Sequence, residues 1–548
     1  MVHEDRPAVS VASRHPSPER GRPRVSHAGA GETRPATLSH SLALLLFFVL
    51  TSLFLSQFRL PFTPIMASND QWDFINHSAR LWGGEIIYRD FYERTTPGTA
   101  VVDLVSFRLF GLKNWIPNFH LILLGVGLTW LTVSISRRIL CEPAYFDLLP
   151  GLLFLAFAFL PHMEDTHRWY SCVASLAALA VVMERRTLWR LSAAGVFSGL
   201  ASFFTQTQGV LLLLGLGTFL LWEGRQRRHK GKDRRQQWGC LLGAWGATVL
   251  GVHAYFIAQA GLGRFIDCVI RIPFLYLSAD TSYTWHAYLS QMPRLPHWYS
   301  LPTLAQFLFI YPLLPFVYIV ALLDRSRQAN GYQEKTARLI LLNITGLWMF
   351  AGVAAGPTHF RLCSVSAPAF IVLVCWMREH LRRGQMLAGA LVIAALYFAV
   401  IQPLRMQTMP IRYLDLPRGR MAFSTWLLTE YELMRWLSSR TEAGELFMVT
   451  GDGYFLFPLA LQQVGEVSGY NNTRATRPEG VQSAVAALSK YRVRFVEWPP
   501  GQSDPKFYVP EEDSLGPLRE YVMKNYHLVK RFESEDANAP EEIWERNP

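Results

Sequence analysis

Charge and cysteine are both scarce in this sequence. Asp, Glu, Lys and Arg make up 17% of the 548 residues and hydrophobic residues make up 50%, which is more apolar than soluble proteins usually are. The six cysteines lie mostly in or beside apolar segments without metal-like spacing, and residues 402–548 contain none. Neither a disulfide framework nor a zinc site is therefore predicted, and the composition indicates a membrane-embedded protein.

Basic residues exceed acidic ones, with 53 Lys and Arg against 42 Asp and Glu, but they do not gather on one domain. They fall in short clusters between apolar runs, which is typical of membrane topology rather than of nucleic-acid binding. We therefore expect membrane lipids, and no nucleic acid, among the partners. The clusters are Arg137-Arg138, Arg185-Arg186, 225–235, 325–338 and 378–383.

Apolar stretches long enough for a ~30 Å hydrocarbon core begin near residues 41, 116, 145, 170, 190, 209, 238, 301, 338, 362 and 384. With these eleven spans all five basic clusters fall on one side, which the positive-inside rule makes cytoplasmic. The prediction is an α-helical polytopic membrane protein in three parts: a disordered cytoplasmic tail (1–39), a transmembrane domain with interfacial helices in 60–115 (40–401), and a small extracytoplasmic α/β domain (402–548).

The first outer loop, 60–115, reads as two amphipathic helices joined by a charged turn. One is predicted from Asp70 to Gly83-Gly84, and the other from after Pro97 to Gly111. At the start of a helix the carboxylate of Asp70 is kept ionised by the helix dipole, so it is suited to act as a base or a metal ligand. The alternative is that Asp70 only caps the amide groups of that turn.

The ordered residues of this loop resemble a known family. The segments Asn69-Asp70-Gln71-Trp72, Ala79 to Gly84, Tyr88 to Gly98 and Leu109-Phe110-Gly111 are similar to the first outer loop of GT-C glycosyltransferases. The similarity is closest to the bacterial dolichyl-phosphate-mannose-protein mannosyltransferase-like and lipid A aminoarabinose transferase-like branches. That family often has Asp-Glu where this chain has Asp70-Gln71, so the second carboxylate of the pair is missing here.

The resemblance implies roles for individual residues. It makes Asp70 the catalytic or metal-associated carboxylate and Arg94 a ligand of the donor phosphate, with Glu93 as an accessory residue. In the second outer loop, 162–169, Asp165 and His167 match the place of a further acidic residue near the site. A divalent metal at Asp70 or Asp165 is one alternative to a merely solvated loop. His359 and Arg361, in the late His-containing loop, would also bind the phosphate, unless Arg361 only reaches to the membrane interface.

The implied function is transfer of a sugar, hexose or pentose, from a polyprenyl-phosphate-linked donor to an acceptor on the extracytoplasmic face of a bacterial inner or plasma membrane. Inversion at the anomeric carbon is expected. The alternative is a lipid or saccharide transporter or flippase, which would need ionisable residues deep within its spans. His120 and His253 are the candidates for such residues, and we interpret both as hydrogen-bonded packing residues.

Overall fold

The computed structural model describes residues 40–67, 70–140, 145–227, 231–277, 284–286, 313–327, 333–380, 384–451, 453–467, 470, 478–500, 515–533 and 540–548. The predicted tail, 1–39, lies outside the described residues. Residues 44–548 form one compact unit, and the fold and the site lie within it.

Helices dominate the first part of the chain. They are α1 His40–Gln57, α2 Gln71–Trp82, α3 Gly98–Phe110, α4 Ile116–Leu140, α5 Leu149–Phe154, α6 His167–Val182, α7 Leu188–Phe204, α8 Gln206–Gln226, α9 Gly231–Ala260, α10 Leu262–Ile266, α11 Ile272–Leu277, α12 Leu313–Arg327, α13 Glu334–Ala354, α14 His359–Cys363, α15 Ala367–His380 and α16 Gly384–Thr408. A π-helical turn and a 3₁₀ turn extend α5 to His162.

Among the described residues, six helices (α1, α4, α8, α9, α13 and α16) are long and apolar enough to cross a membrane. Shorter apolar helices lie beside them at Leu149–His162, Leu188–Phe204 and Pro315–Asp324. The chain is thus an integral, mostly helical membrane protein. A helix occupies each predicted span, although the first residues of the span predicted near 301 lie outside the described residues.

The basic clusters meet at one end of the helices. Arg186, before α7, pairs with Glu334 at the start of α13, and Arg227, after α8, donates to the same carboxylate at 2.9 Å. Arg378, near the end of α15, donates to the carbonyl of Leu140 at the end of α4 at 2.9 Å. The loops that the sequence predicts on the cytoplasmic side therefore share one end of the bundle.

Within the described residues, the C-terminal part adds short strands and three helices. They are β3 Ile411–Leu414, β4 Met421–Ser424, α17 Leu428–Ser438, β5 Leu446–Val449, β6 Gln462–Gln463, α18 Pro478–Tyr491, β7 Phe495–Glu497, α19 Gly516–Asn525, β8 Tyr526–Phe532 and β9 Glu541–Arg546, while β1 Phe58–Arg59 and β2 Thr63–Pro64 precede α2. Five strands form a sheet in the order β6-β5-β7-β9-β8, in which β5 is parallel to β6 and β7, and β9 is antiparallel to β7 and β8.

This C-terminal part packs directly on the first outer loop. Trp72 and Phe107, from α2 and α3, share one hydrophobic core with Phe455 and Phe457, and the rings of Phe107 and Phe457 stack at 5.3 Å. The side-chain amide of Asn76 on α2 donates to the carbonyl of Gly453 at 2.9 Å. The C-terminal part therefore supports the two helices of the first outer loop, which Asp70 and Arg94 precede.

Candidate functional site

Asp70 is the N-cap residue of α2, and its side chain makes no capping hydrogen bond. The side chain is exposed. Ser68 and Asn69, which precede it in the sequence, lie outside the described residues. The carboxylate of Asp70 is consequently not used to cap the helix that it begins.

Two further carboxylates lie close enough to Asp70 to feel its charge. Burial raises the pKa of Asp73 to about 7, an effect that His77 opposes and Asp70 adds to. Burial likewise raises the pKa of Glu164, in the second outer loop, to about 7, with a further increase from Asp70 and a decrease from Arg168. At the start of α2, the charge of Asp70 therefore disfavours ionisation of the two neighbouring carboxylates, Asp73 and Glu164.

Three arginines from different loops surround the same region. Arg94, Arg168 and Arg361 all lie near enough to His167 to interact with it electrostatically. Arg94 is exposed. Arg361 donates to the carbonyl of Gly356 at 2.7 Å, which holds its guanidinium over its own loop. Residues predicted on three separate outer loops thus converge at one end of the bundle, opposite to the basic clusters.

Glu93 has a different setting from its neighbour Arg94. It is buried, its Oε2 lies 2.5 Å from Nδ1 of His77, and its Oε1 accepts hydrogen bonds from the backbone N–H of Thr95 at 2.8 Å and from the Thr95 hydroxyl at 2.9 Å. Burial by itself would raise the pKa of Glu93, but His77 and these hydrogen bonds outweigh it and lower the pKa. Glu93 therefore fixes the charged turn before α3 rather than facing an open site.

Asp165 lies inside a buried polar cluster. His120, in the first turns of α4, places Nδ1 2.8 Å from Oδ2 of Asp165 and 3.3 Å from Oδ1 of Asp103 on α3. The Tyr170 hydroxyl donates to Oδ1 of Asp165 at 2.7 Å, and the Ser78 hydroxyl donates to Asp103 at 3.0 Å. Burial raises the pKa of Asp103 to about 6, although His120 opposes the rise. This cluster joins α2, α3, α4 and the second outer loop.

His167 and Asp165 do not share a site, although they are two residues apart. The Nδ1 atom of His167 lies 2.8 Å from the hydroxyl of Thr205, between α7 and α8. The ring of His359 faces His162, and its Nδ1 lies 3.8 Å from the sulfur of Cys363. Three residues are predicted to bind the donor phosphate. Arg94 and Arg361 both lie near His167, whereas His359 contacts His162.

Sequence reasoning missed Asp103 and the role of His120. The only carboxylate of the mostly apolar helix Gly98–Phe110 was the available signal, because a buried carboxylate requires a partner. His120 was interpreted as a packing residue, whereas the structure places it between two carboxylates. His253 does fit the packing interpretation, since its Nδ1 lies 2.8 Å from the carbonyl of Val249 in its own helix.

The possible metal-ligating atoms can be located and compared with the metal site predicted at Asp70 or Asp165. Among the described residues, two groups of side chains bring ligand atoms close together, Asp103 with His120 and Asp165, and His162 with His359 and Cys363. Asp70 belongs to neither. In the first group the position between the carboxylates is taken by a ring nitrogen at hydrogen-bonding distance, which serves as a proton donor there. The arrangement fits a buried ion pair better than a metal centre.

A scan against protein-family models finds no match, and neither does a search of curated proteins. Solved structures do match. The crystal structure of ArnT from Cupriavidus metallidurans bound to undecaprenyl phosphate superposes with a TM-score of 0.56 and 13% identity, over 92% of this chain and 98% of ArnT. The apo structure of the same protein gives a TM-score of 0.52 with the same identity and coverage.

The chain shares the fold of ArnT. The resemblance inferred from the first outer loop is therefore confirmed at the level of the fold, and so is the prediction of a polytopic helical membrane protein with a small α/β part. Within this fold, Asp70 immediately precedes α2 and Arg94 lies between α2 and α3, while Glu164, Arg168 and Arg361 come from the second and late outer loops that the sequence predicts.

Proposed function

We propose that this protein is a membrane glycosyltransferase that transfers a sugar from a polyprenyl-phosphate-linked donor to an acceptor hydroxyl on the extracytoplasmic face, with inversion. The observation that carries the proposal is an exposed, uncapped Asp70 in the same region as Arg94, Arg168 and Arg361, all at one end of the helices. The GT-C fold, shared with an ArnT that binds undecaprenyl phosphate, supports the donor class.

The proposed orientation follows from charge. The opposite end of the bundle carries Arg138, Arg186, Arg227 and Arg378, and basic residues of short loops favour the cytoplasm. The site end then faces the outside. A lipid-linked donor must keep its chain in the bilayer while its headgroup reaches water, so a site beside the ends of the helices suits it.

Asp70 is the proposed general base. The acceptor hydroxyl oxygen attacks the anomeric carbon and gives its proton to the Asp70 carboxylate, while the bond from that carbon to the phosphate oxygen breaks and polyprenyl phosphate leaves with the electron pair. Attack opposite the leaving group gives inversion. A base in this position typically contributes about 10²–10⁴-fold to the rate.

Arg94 and Arg361 are the proposed ligands of the departing phosphate, because planar guanidinium groups can each donate two hydrogen bonds to it. Glu93 and Asp165 act as positioning residues in this scheme, since Glu93 holds the turn that precedes α3 and Asp165 anchors the second outer loop to His120. His167 joins the same loop to Thr205. No step requires a metal ion at Asp70.

The test measures transfer by full-length protein in native membrane vesicles, with a panel of radiolabelled undecaprenyl-phosphate hexoses and pentoses. Asp70→Asn should lower label transfer about 100-fold or more, with unchanged amounts of folded protein. Asp415→Asn is the matched control, because Asp415 is an exposed aspartate whose side chain is 88% accessible. Equal transfer by the parent and Asp70→Asn removes Asp70 from the reaction. Movement of intact donor across the bilayer without sugar transfer would instead indicate a flippase.

A further inference from the structure

Three side chains with metal-binding atoms meet in a group that does not include Asp70. Nε2 of His162 faces Nδ1 of His359, and the sulfur of Cys363 lies 3.8 Å from that same nitrogen. The three ligand atoms all lie within 4.8 Å of one another. Cys363 is fully buried. His359 and Cys363 are four residues apart on α14, so they share one face of the helix.

The chemistry of this group matches a borderline-soft divalent cation. Zinc prefers imidazole nitrogen and thiolate sulfur, at about 2.0–2.1 Å and 2.3 Å, which in a tetrahedral site separates N and S ligands by about 3.6 Å. The observed 3.8 Å between Nδ1 of His359 and Sγ of Cys363 is close to that separation. The two ring nitrogens, now in direct contact, would move apart to admit the ion, which a change in a side-chain torsion angle can provide.

We propose that His162, His359 and Cys363 bind one zinc-like divalent cation, with water in the fourth position. Binding displaces the thiol proton of Cys363, so one proton leaves as the sulfur–metal bond forms. The ion joins the end of the Leu149–His162 helix to α14 and thereby fixes the loops that carry Glu164 and Arg361. This assignment replaces the phosphate-binding role predicted for His359.

A sequence motif could not reveal this site. The group contains one cysteine, and its two histidines, His162 and His359, are 197 residues apart. The alternative is a plain hydrogen bond between the two imidazoles with Cys363 packed beside them as a small apolar residue. Both arrangements give the imidazole nitrogens a bonding partner, but only in the metal site does the sulfur of Cys363 bind the ion. A thiolate-specific signal therefore separates them.

The experiment uses the purified full-length protein in detergent, treated with a chelator, loaded with zinc and desalted, and measured by elemental analysis. The parent should keep one zinc per chain. Cys363→Ser and His162→Ala should each bind zinc more than about 100-fold more weakly, since removal even of outer-shell partners of a metal site costs about 10–100-fold. Cys375→Ser is the matched control, because Cys375 is also buried, on the neighbouring helix α15.

Loading with cobalt tests directly whether the sulfur of Cys363 binds the metal ion. The parent and a variant whose only cysteine is Cys363 should show a thiolate-to-cobalt charge-transfer band in the near ultraviolet, and Cys363→Ser should not. No zinc retained by the parent, or a cobalt spectrum without that band, overturns the proposal, as does a band that persists in Cys363→Ser. These measurements use no donor or acceptor, so their outcome is independent of the proposed transferase activity.

Discussion

His120 and Asp165, 45 residues apart in sequence, meet at 2.8 Å between Nδ1 and Oδ2 in a buried part of the structure. Asp103 approaches the same nitrogen at 3.3 Å, and the hydroxyl of Ser106 lies 2.8 Å from Nε2 on the other side of the ring. A single imidazole therefore serves two carboxylates. Since one carboxylate comes from α3 and the other from the second outer loop, His120 sets the position of both relative to α4.

Removal of His120 should destabilise the protein. His120→Ala leaves Asp103 and Asp165 buried beside each other without a cation, and breaking a buried pair in this way costs about 3–5 kcal/mol. The measurement is thermal unfolding of the purified protein in detergent, where the apparent Tm should fall by several degrees. His253→Ala should lower it less, because His253 contacts only its own helix carbonyl and neighbouring rings.

A double variant tests whether charge is the cause. Replacing Asp103 with Asn in the His120→Ala background removes one of the two stranded carboxylates, so part of the lost Tm should return. A double variant less stable than His120→Ala would show that packing of the ring, and not the ion pair, determines the loss.

Arg94 and Arg361 should affect donor use rather than folding. Loss of a charged hydrogen bond to phosphate costs about 1.5–3 kcal/mol, so Arg94→Gln and Arg361→Gln should each lower kcat/KM for the donor about 10–100-fold. The assay is the transfer reaction at varied donor concentration, which separates KM from kcat. Arg89→Gln is the control, because Arg89 is an exposed arginine of the same turn that pairs with Asp90 at 2.7 Å. An equal loss in Arg89→Gln would mean that only the net charge of the loop matters.

Local signals were sufficient for the first outer loop. Pro97 and Gly111 bound the predicted α3, and Asp70 and Gly83-Gly84 bound the predicted α2, in agreement with the observed Gly98–Phe110 and Gln71–Trp82. The grouping of the basic loops was also predictable, since it depends only on the number of crossings between them.

Non-local contacts account for what the sequence did not reveal. The pattern of residues 421–440 favours one helix, but the observed helix begins only at Leu428. Met421–Ser424 instead pair as a strand with Ile411–Leu414, and such pairing depends on tertiary context more than on helix propensity. The cluster around His120 combines residues from α2, α3, α4 and the second outer loop, and no spacing pattern within one segment encodes it.

The ion pair between His77 and Glu93 should stabilise the charged turn. Glu93→Gln keeps an acceptor for the Thr95 amide but loses the charge opposite His77, so we expect a loss of about 1–3 kcal/mol, the typical penalty for a buried polar group left unsatisfied. Thermal unfolding measures the loss. In a double-mutant cycle with His77→Ala, the two losses should be less than additive, whereas full additivity would show that the two side chains do not interact.

Asp73 should make stability depend on pH. Burial raises its pKa from 3.8 to about 7, with Asp70 and Glu93 adding to the rise and His77 and Arg94 opposing it. The folded state therefore holds a proton that the unfolded state releases between about pH 4 and 7, and stability falls as the pH rises through that window. Asp73→Asn cannot ionise and escapes this loss. Its Tm relative to the parent should increase between pH 5.5 and 8. Water screens part of the effect at this half-buried residue, so we expect the increase to correspond to about 1.4 kcal/mol, the equivalent of one pKa unit. Asp415→Asn, at an exposed site, provides the reference, and a constant difference between Asp73→Asn and the parent at every pH would contradict the prediction.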